Sequence, residues 1–459
     1  GRVVLVGGEP GVGKSRLAAE LARAAHGDGA RVLYGRCDER SLIPYQPFVE
    51  ALDHHVAHAP LDELRSQTAH GGEKLARLVP ALGERLPGLP DTAPGDPQID
   101  RYLAFESVAR LLSGLSRRSA LLLVIDDLHL ADRPTLLLLR HLLRSSKRSS
   151  LLVLGTYRES AVGASHQLSE TTVELHREGL LERIRLDGLE ERELAGLIAA
   201  WGGADAPPGL TRAIHDQTEG NLFFVGEFLR HLTDTGALSR EHGRLTLTRP
   251  LDVVGVPESV KEAIGWHLSR LDDHVLDMLR LASVLGRRFS LDVLAALADS
   301  EGGELERAIE TAAAEGVVEE EPGAIGQYAF AHALIRDTLY SAIGSPRRAR
   351  LHRRVGEIIE QLPTADPGTR LAELAYHFSR AAPIGAAEQA VAHCRRAGDH
   401  AMTLFAYEEA AQHYRRALQA LELVEIGDED ERRELLLGLG EAQDRRTQSS
   451  ELGSTATIR

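Results

Sequence analysis

The segment GEPGVGKS at residues 8–15 limits what this chain can fold into more than any other feature. It follows a short apolar run at Val3–Val6 and precedes a stretch of helical periodicity that begins near Gly13. In the pattern G-x-x-x-x-G-K-[ST], the glycines let backbone N–H groups converge on phosphate oxygens, and the N-terminus of the helix adds partial positive charge. Because a strand and a helix stand where such a loop needs them, a glycine-rich turn without function is disfavoured.

The loop predicts a binding site for ATP or ADP together with Mg²⁺. Lys14 is expected to reach the β- and γ-phosphates, and the Ser15 hydroxyl is expected to ligate Mg²⁺. The predicted nucleotide-binding residues follow one another in the chain: Gly8, Glu9, Pro10, Gly11, Val12, Gly13, Lys14, Ser15 and Arg16.

A second apolar run, LLLVIDD at residues 121–127, ends in two carboxylates. Asp126 is predicted to serve Mg²⁺, directly or through water, as the acidic residue after such a strand does in phosphoryl transfer. Asp127 stands where many P-loop ATPases carry the glutamate that polarises the attacking water. Its side chain is shorter by one methylene, which predicts slow turnover. The alternative, a strand-to-helix turn capped by aspartate, is disfavoured by the presence of the phosphate loop.

A third run, LLVLGTYR at residues 151–158, also ends in polar side chains. In a parallel sheet its carboxyl end would lie near the γ-phosphate, so Thr156 and Arg158 are candidate sensors of that group. A surface charge after a strand is the alternative for Arg158. With Lys14, Asp126 and Asp127, Arg158 completes the predicted catalytic set.

Five short runs rich in Val, Ile and Leu alternate with helix-length segments over the first 200 residues. This alternation is typical of a parallel sheet covered on both faces, so the predicted fold class is an α/β P-loop NTPase. The predicted strands are Val3–Val6, Arg31–Tyr34, Leu121–Ile125, Leu151–Thr156 and Arg183–Leu186.

The rest of the chain predicts further domains. A helical region with a break at Gly220–Asn221 is followed by helices and a hairpin around Gly316–Phe330, an order that suggests a winged helix. Farther on, Ala410, Tyr414 and Ala417–Leu418 resemble the second helix of a tetratricopeptide repeat. The predicted domains are an ATPase domain at 1–188, a helical lid at 189–255, a winged-helix-like domain at 256–362, tetratricopeptide-like repeats at 363–446 and a disordered tail at 447–459.

The net charge of −15 argues against nucleic-acid binding by the chain as a whole, because a polyphosphate backbone is repelled. The run SPRRARLHRR, from Ser345 to Arg354, is the exception. On a winged helix the arginines of Arg347–Arg354 could touch DNA phosphates weakly. A solvated or domain-packing face is the commoner explanation of such runs, and the overall charge favours it.

Cys37 and Cys394 are far apart and form no CxxC pattern, which argues against a zinc site or a disulfide framework and favours a reducing cytoplasm. No run approaches the roughly 18 apolar residues of a membrane span, so no membrane partner is expected. The chain starts at Gly1 rather than Met, directly on a predicted strand, and we expect it to be a fragment that lacks an upstream module.

Several of these motifs occur in one order that resembles a known group. They are the phosphate loop, IDDLHLAD at 125–132, GTYR at 155–158 and EGNLFFVGEFLRHL at 219–232. Together they resemble the STAND class of signal-transduction ATPases, related to AAA ATPases. Within that class, the chain is most similar to the AAA-type, origin-recognition-like ATPase module of large bacterial LuxR-type and cyclase-linked regulators.

The resemblance implies an AAA-like ATPase domain with a helical lid, a winged helix and tetratricopeptide-like repeats. Proteins of this group are thought to hold ADP at rest, and to exchange it for ATP and assemble when an inducer binds. Arg158 would then sense the γ-phosphate, Gly220–Asn221 would mark the lid, and His332 would contact the nucleotide. From the sequence alone, a packed core histidine is the slightly favoured alternative for His332. Two departures are Leu222, where the group usually has proline, and Leu130, where it often has tryptophan.

The predicted function is therefore an ATP-binding, slowly hydrolysing switch in bacterial transcription regulation or signal transduction. Its expected partners are ATP, an inducer or protein bound by the helical repeats, and further copies of the chain on ATP binding. DNA would be bound through a module outside this chain or weakly through Arg347–Arg354. Two alternatives stay open: a DNA-binding AAA ATPase that uses the winged helix, and a repeat scaffold with a vestigial ATPase.

Overall fold

A computed structural model describes most of the chain as two compact units. The first unit comprises residues 1–7, 14–185 and 362–459, and the second comprises residues 8–13 and 186–361. The residues described are 1–38, 43–69, 71–89, 96–162, 166–202, 206–207, 209–241, 244–248, 264–265, 268–299, 303–321, 323–362, 367–424 and 429–455. Across these residues, every helix is too short or too polar to span a bilayer.

The first unit is built on a five-stranded parallel sheet, with strands in the order β2-β3-β4-β1-β5. The strands are β1 (Arg2–Gly8), β2 (Arg31–Arg36), β3 (Leu121–Asp126), β4 (Leu151–Arg158) and β5 (Leu181–Arg185). Every residue of β3 is buried, as expected for an apolar strand at the centre of a sheet covered on both faces. The edge strand β5 begins two residues before the predicted Arg183 and exposes most of its side chains.

Helices of the first unit connect and cover these strands. They are α1 (Lys14–Gly27), α2 (Gln46–His58), α3 (Leu61–Thr68), α4 (Gly72–Leu78), α5 (Pro80–Arg85), α6 (Pro97–Ser116), α7 (Arg133–Ser145), α8 (Glu159–Val162) and α9 (His166–Arg177). At the start of α7 the Asp132 carboxylate accepts a hydrogen bond from the Thr135 N–H at 2.7 Å, which satisfies one free donor of the first turn.

The second unit is a mixture of helices and short antiparallel strands. Its elements are α10 (Glu191–Gly202), α11 (Leu210–Thr218), α12 (Leu222–Asp234), β6 (Leu238–Glu241), β7 (Arg244–Leu247), α13 (Asp273–Leu285), β8 (Arg288–Ser290), α14 (Leu291–Ala298), α15 (Gly303–Ala314), β9 (Val318–Glu320), β10 (Gln327–Phe330), α16 (Ala333–Ser341) and α17 (Ser345–Gln361). The predicted hairpin pairs β9 with β10, and β8 joins β10 on the other side. The predicted domain boundary at 255/256 lies outside the described residues.

Among the described residues after 362, the first unit contains four α-helices: α18 (Pro367–Ala381), α19 (Ala387–Thr403), α20 (Tyr407–Leu421) and α21 (Glu429–Thr455). The Tyr414 ring lies against Gly398 and Gly438, where any added Cβ would come within 2.9 Å of it. Its hydroxyl donates to Asp399 at 2.7 Å. The predicted fold class, a parallel α/β sheet with a helical C-terminal region, is confirmed, and α21 extends into residues for which the sequence predicted a disordered tail.

The C-terminal helices pack on the sheet domain of the same unit through buried polar groups. Arg101 of α6 lies 3.4 Å from the Glu408 carboxylate, and its guanidinium is 5.4 Å from the ring centres of Phe105 and Tyr407. The hydroxyl of the buried Tyr45 donates to the Phe405 carbonyl at 3.3 Å. A buried arginine is costly unless it has such partners. The contact between the C-terminal helices and the sheet domain therefore depends on these polar pairs as well as on apolar packing.

Candidate nucleotide and metal site

The glycines of the phosphate loop are required by its backbone shape. Gly11 and Gly13 have φ angles of 86° and 107°, a region that side chains other than glycine rarely adopt. A Cβ on Gly8 would lie 2.4 Å from the Leu186 carbonyl oxygen. The loop therefore offers backbone in place of side chains, as a phosphate cradle must.

Within the second unit the loop is held by the first residues of α12. The Asn221 side-chain amide donates to the Pro10 carbonyl at 2.9 Å, and the Phe223 N–H donates to the Gly11 carbonyl at 3.1 Å. The same Asn221 side chain accepts from the Phe223 N–H at 3.2 Å and so caps the helix. One residue therefore fixes both the start of α12 and the carbonyl side of the loop.

His332 contacts Phe223, one of the two residues that hold the phosphate loop. Its ring stacks on Phe223 with centroids 4.2 Å apart and planes 22° apart. Its Nδ1 accepts from the Leu334 N–H at 3.2 Å, which caps α16. The structure thus connects His332 through Phe223 to Gly11 of the loop, while the expected contact of His332 with a nucleotide stays a prediction.

In the first unit, helix α1 and strands β3 and β4 bring hydroxyl and carboxylate groups together around Asp126. The Ser15 hydroxyl donates to Asp126 Oδ1 at 3.0 Å, and the Thr156 hydroxyl donates to the same oxygen at 2.5 Å. Thr156 in turn accepts from the Asp127 N–H at 2.9 Å, where Asp127 has a φ of 56°. The predicted metal pair, Ser15 and Asp126, is in direct contact, and Thr156 sets the position of both aspartates.

Sequence reasoning missed two residues that contact the other oxygen of this carboxylate. The Tyr34 hydroxyl donates to Asp126 Oδ2 at 2.9 Å, and Arg36 Nη2 donates to it at 3.1 Å. Arg36 Nε also lies 3.6 Å from Asp127 Oδ2. Tyr34 and Arg36 are two residues apart on β2, so they share a face, and Arg36 pairs in register with Asp126. Only the adjacency of β2 and β3 in the sheet identifies these two residues as part of the site, and no sequence pattern reveals that adjacency.

The Asp126 carboxylate is held in its charged form. Burial works to raise its pKa, but Arg36 and the hydrogen bonds from Thr156, Ser15 and Tyr34 outweigh burial, so the pKa lies below its usual value. An ionised carboxylate beside a hydroxyl is a donor set that Mg²⁺ prefers, and Ser15 and Asp126 fit that ion. Among the described residues, no group of three or more His, Cys, Asp or Glu side chains could hold a metal by itself. Phosphate oxygens and water would complete the shell, as is usual for Mg²⁺.

His129 is a third residue of this region for which the sequence predicted no role. It is buried, and neither ring nitrogen has a hydrogen-bond partner among the described residues. Burial, with the positive charges of Arg158 and Lys14, lowers its pKa to about 4. The imidazole is therefore neutral near pH 7, and the charges of Lys14, Arg158 and Asp126 all act on its pKa.

Three other predicted nucleotide-binding residues, Arg16, Glu9 and Val12, differ in their exposure to solvent. Arg16 is exposed on α1 and lies 2.9 Å from Glu20, one helical turn along. Glu9 is also exposed, whereas Val12 is buried. The binding roles expected of Glu9 and Arg16 stay predictions.

Strand order, phosphate loop and paired aspartates define a P-loop α/β fold, and comparison with known families agrees. The model of the AAA ATPase domain family matches residues 1–154 of this chain. An uncharacterised protein of Rhizobium meliloti strain 1021 is 26% identical over 442 residues, which cover 91% of this chain and 40% of that protein. The chain therefore spans about two fifths of that relative's length.

The solved structures that resemble this chain share few identical residues with it. A Signal Transduction ATPase with Numerous Domains from Pyrococcus horikoshii, with a tetratricopeptide repeat sensor, is 15% identical with a TM-score of 0.49, covering 99% of this chain and 63% of that one. The ORC1 protein of Aeropyrum pernix in complex with DNA is 17% identical with a TM-score of 0.31, covering 76% and 88%. AMPPCP-bound DnaA from Aquifex aeolicus is 12% identical with a TM-score of 0.31, covering 68% and 82%.

Proposed function

We propose that the protein is an ATP-binding, slowly hydrolysing regulatory switch whose nucleotide state controls domain closure or self-association. It uses Lys14 and the backbone of the phosphate loop to hold the phosphates, and Ser15 with Asp126 to hold Mg²⁺. The proposal places it in the cytoplasm of a bacterium, as part of a LuxR-type or cyclase-linked regulator. Both cysteines are free and buried, which fits a reducing compartment.

The observation that carries the proposal is the contact of the phosphate loop with α12. Since Asn221 and Phe223 hold the carbonyls of Pro10 and Gly11, a change in the loop on nucleotide binding acts directly on the start of that helix. His332 stacks on Phe223, so the same change reaches α16. A ligand shifts a conformational equilibrium when it binds the two states unequally, and this connection provides such a difference.

Slow hydrolysis is supported by the identity and surroundings of Asp127. Its side chain is one methylene shorter than glutamate, and its Oδ2 lies 3.6 Å from Arg36 Nε. A carboxylate that is short and faces a cation is a weak general base for water, since a base must come within hydrogen-bond reach of the proton it takes. Slow turnover suits a switch because the ATP-bound state then persists.

The helices α18–α21 are proposed to receive the signal as tetratricopeptide-like repeats. They pack on the sheet domain through Arg101 and Glu408, so a partner that binds these helices can act on the domain that carries Asp126. The inducer or partner protein is proposed as their ligand. The region of α13–α17 is proposed to be a winged helix.

The decisive experiment measures nucleotide content and mass of the purified chain before and after addition of MgATP. We expect bound ADP in the purified chain, and larger assemblies after ATP exchange in wild type but not in Lys14→Ala. Absence of nucleotide affinity in folded protein would refute the switch. Unchanged mass and partner binding after Lys14→Ala would favour the scaffold with a vestigial ATPase.

Direct DNA binding is the second alternative, and the structure gives it little support. Arg353 lies 3.5 Å from Glu357, and Arg354 lies 3.8 Å from both Glu357 and Asp299. These ion pairs reduce the charge that α17 offers to phosphates. DNA binding that falls with salt and is lost on Arg347→Glu with Arg348→Glu would favour this alternative.

A further inference from the structure

We propose that Arg36 is a built-in cation that occupies the metal side of the site when Mg²⁺ is absent, so that a nucleoside diphosphate is held without metal. Mg²⁺ then enters by taking the place of the guanidinium at Asp126. The inference rests on the proposed function because it concerns the same site, and it gives that site a means of separating its metal-free and metal-bound states.

The Asp126 carboxylate has no free acceptor position. Its Oδ1 accepts from Ser15 and Thr156 at 3.0 and 2.5 Å, and its Oδ2 accepts from Tyr34 and Arg36 at 2.9 and 3.1 Å. A carboxylate offers about four lone-pair positions, so these four donors saturate it. A direct Mg²⁺ ligand at Asp126 requires one donor to leave.

Of these four donors, the Arg36 guanidinium is the one that can leave Asp126. Thr156 is fully buried and bonded to the Asp127 N–H as well, so it is fixed. Ser15 is the hydroxyl expected to ligate the metal itself. Arg36 carries a positive charge that a nearby Mg²⁺ repels, and its side chain is 20% exposed, so it has a way out. The guanidinium is therefore the group that the metal replaces.

Arg36 also balances the charge of two neighbouring carboxylates. It lies 3.1 Å from Asp126 and 3.6 Å from Asp127 before any ligand binds. Removing one partner of a buried ion pair leaves the other charge uncompensated, which is strongly destabilising. Without Arg36, these two adjacent carboxylates would lose the cation that they share, and their negative charge would oppose phosphate until Mg²⁺ replaced it.

The first test uses Mg²⁺ alone and needs no nucleotide. The melting temperature of Arg36→Gln is expected to rise by about 3 °C or more on addition of Mg²⁺, while that of wild type stays unchanged. Arg36→Lys, which keeps the charge, should behave like wild type. Arg31→Gln is the matched control, because Arg31 lies at the other end of β2, 3.7 Å from Glu63, and should show no response.

The second test measures the affinity for a fluorescent ADP in Mg²⁺ and in EDTA. Wild type and Arg31→Gln are expected to change by less than about threefold, and Arg36→Gln to bind about tenfold or more weakly in EDTA. If Arg36→Gln does not fold, the wild-type comparison decides: a loss of about tenfold in EDTA overturns the proposal. Equal Mg²⁺ responses of wild type and Arg36→Gln overturn it as well.

The outcomes separate this inference from the proposed function. If no variant binds nucleotide under any condition, the switch fails, while the melting response to Mg²⁺ still decides the role of Arg36. If nucleotide binds but Arg36→Gln shows no added dependence on Mg²⁺, the switch stands and the role of Arg36 is refuted.

Discussion

Four side chains converge on one carboxylate at Asp126, and this saturation is the dominant feature of the site at the scale of residues. The donors come from α1, from two positions on β2 and from β4. Each hydrogen bond to the charged form stabilises that form, so the pKa of Asp126 lies below its usual value in spite of burial. A carboxylate held in this way is ready for a metal without a change of protonation.

Lys14→Ala tests the phosphate contact. Lys14 is buried at the start of α1, where a point charge suits phosphate oxygens. We expect nucleotide affinity to fall by about 10- to 100-fold, the usual value of a hydrogen bond to a charged group. Isothermal titration with ADP measures it. Arg23→Ala on the same helix is the control, since Arg23 is exposed and pairs with Glu20; an equal loss in both variants would contradict the assignment.

Asp127→Glu tests the explanation of slow turnover. The added methylene brings the carboxylate closer to an attacking water, so the rate of ATP hydrolysis should rise by about tenfold, while ADP affinity stays the same. Asp127→Asn keeps the shape and removes the base, and its rate should fall below that of wild type. Phosphate release under single-turnover conditions distinguishes them. A glutamate variant no faster than wild type would mean that another group positions the water.

At the scale of elements, the first turn of α12 makes the contacts that hold the phosphate loop within the second unit. Asn221 caps the helix, and its side-chain amide donates to the Pro10 carbonyl. The Phe223 N–H donates to the Gly11 carbonyl, and the Phe223 ring stacks on His332. Leu222 stands between them as the first helical residue, so its N–H lies outside the helical hydrogen-bond ladder. Proline is well suited to that position and badly suited to the next one.

Leu222→Pro should therefore be tolerated, whereas Phe223→Pro should not. Asn221 has φ −65° and ψ 117°, an extended conformation that a following proline favours. We expect Leu222→Pro to raise the free energy of unfolding by up to about 1 kcal/mol, and Phe223→Pro to lower it through loss of the bond to Gly11. Thermal melting of both variants is the measurement. Equal destabilisation by both would show that the lid turn is not formed as described.

At the scale of the whole molecule, the C-terminal helices and the sheet domain meet at buried acids. Burial raises the pKa of Glu409 to about 8, with the negative charges of Asp132 and Glu408 adding to the shift. Burial also raises the pKa of Asp132 to about 6. Both folded-state values lie above the ordinary ones, so folding takes up protons. The stability that these groups contribute is complete below about pH 4 and is lost as the pH rises through 6 and then 8.

Glu409→Gln should remove part of this dependence. We expect the variant to match wild type within about 0.5 kcal/mol at pH 5 and to be the more stable protein at pH 9, because it has no proton to lose. Denaturant unfolding at a series of pH values measures the difference. Glu422→Gln is the control, since that carboxylate is exposed just after α20. If the free energy of unfolding of Glu409→Gln and of wild type changed with pH in parallel, the Glu409 carboxylate would be solvent-exposed and this prediction would be wrong.

The local pattern of the sequence was enough to predict the elements that need only neighbours along the chain. Strand β3 could be predicted because seven successive residues read as a buried strand ending in carboxylates, and α1 because the loop of residues 8–15 requires a helix after it. Ser15 and Asp126 were predicted together for the same reason, since the carboxyl ends of parallel strands meet at one edge of a sheet.

Only the tertiary structure decided which side chains complete the site around Asp126 and the contact between the C-terminal helices and the sheet domain. Arg36 reaches Asp126 because β2 lies beside β3 in register, and these residues are 90 positions apart in the chain. Arg101 finds Glu408 across 307 positions, and Asn221 finds Pro10 across 211. Periodicity and motif spacing report on contacts within a few residues, whereas these pairings depend on strand order and helix packing. Buried charges select their partners in space, and the sequence alone carries no record of that choice.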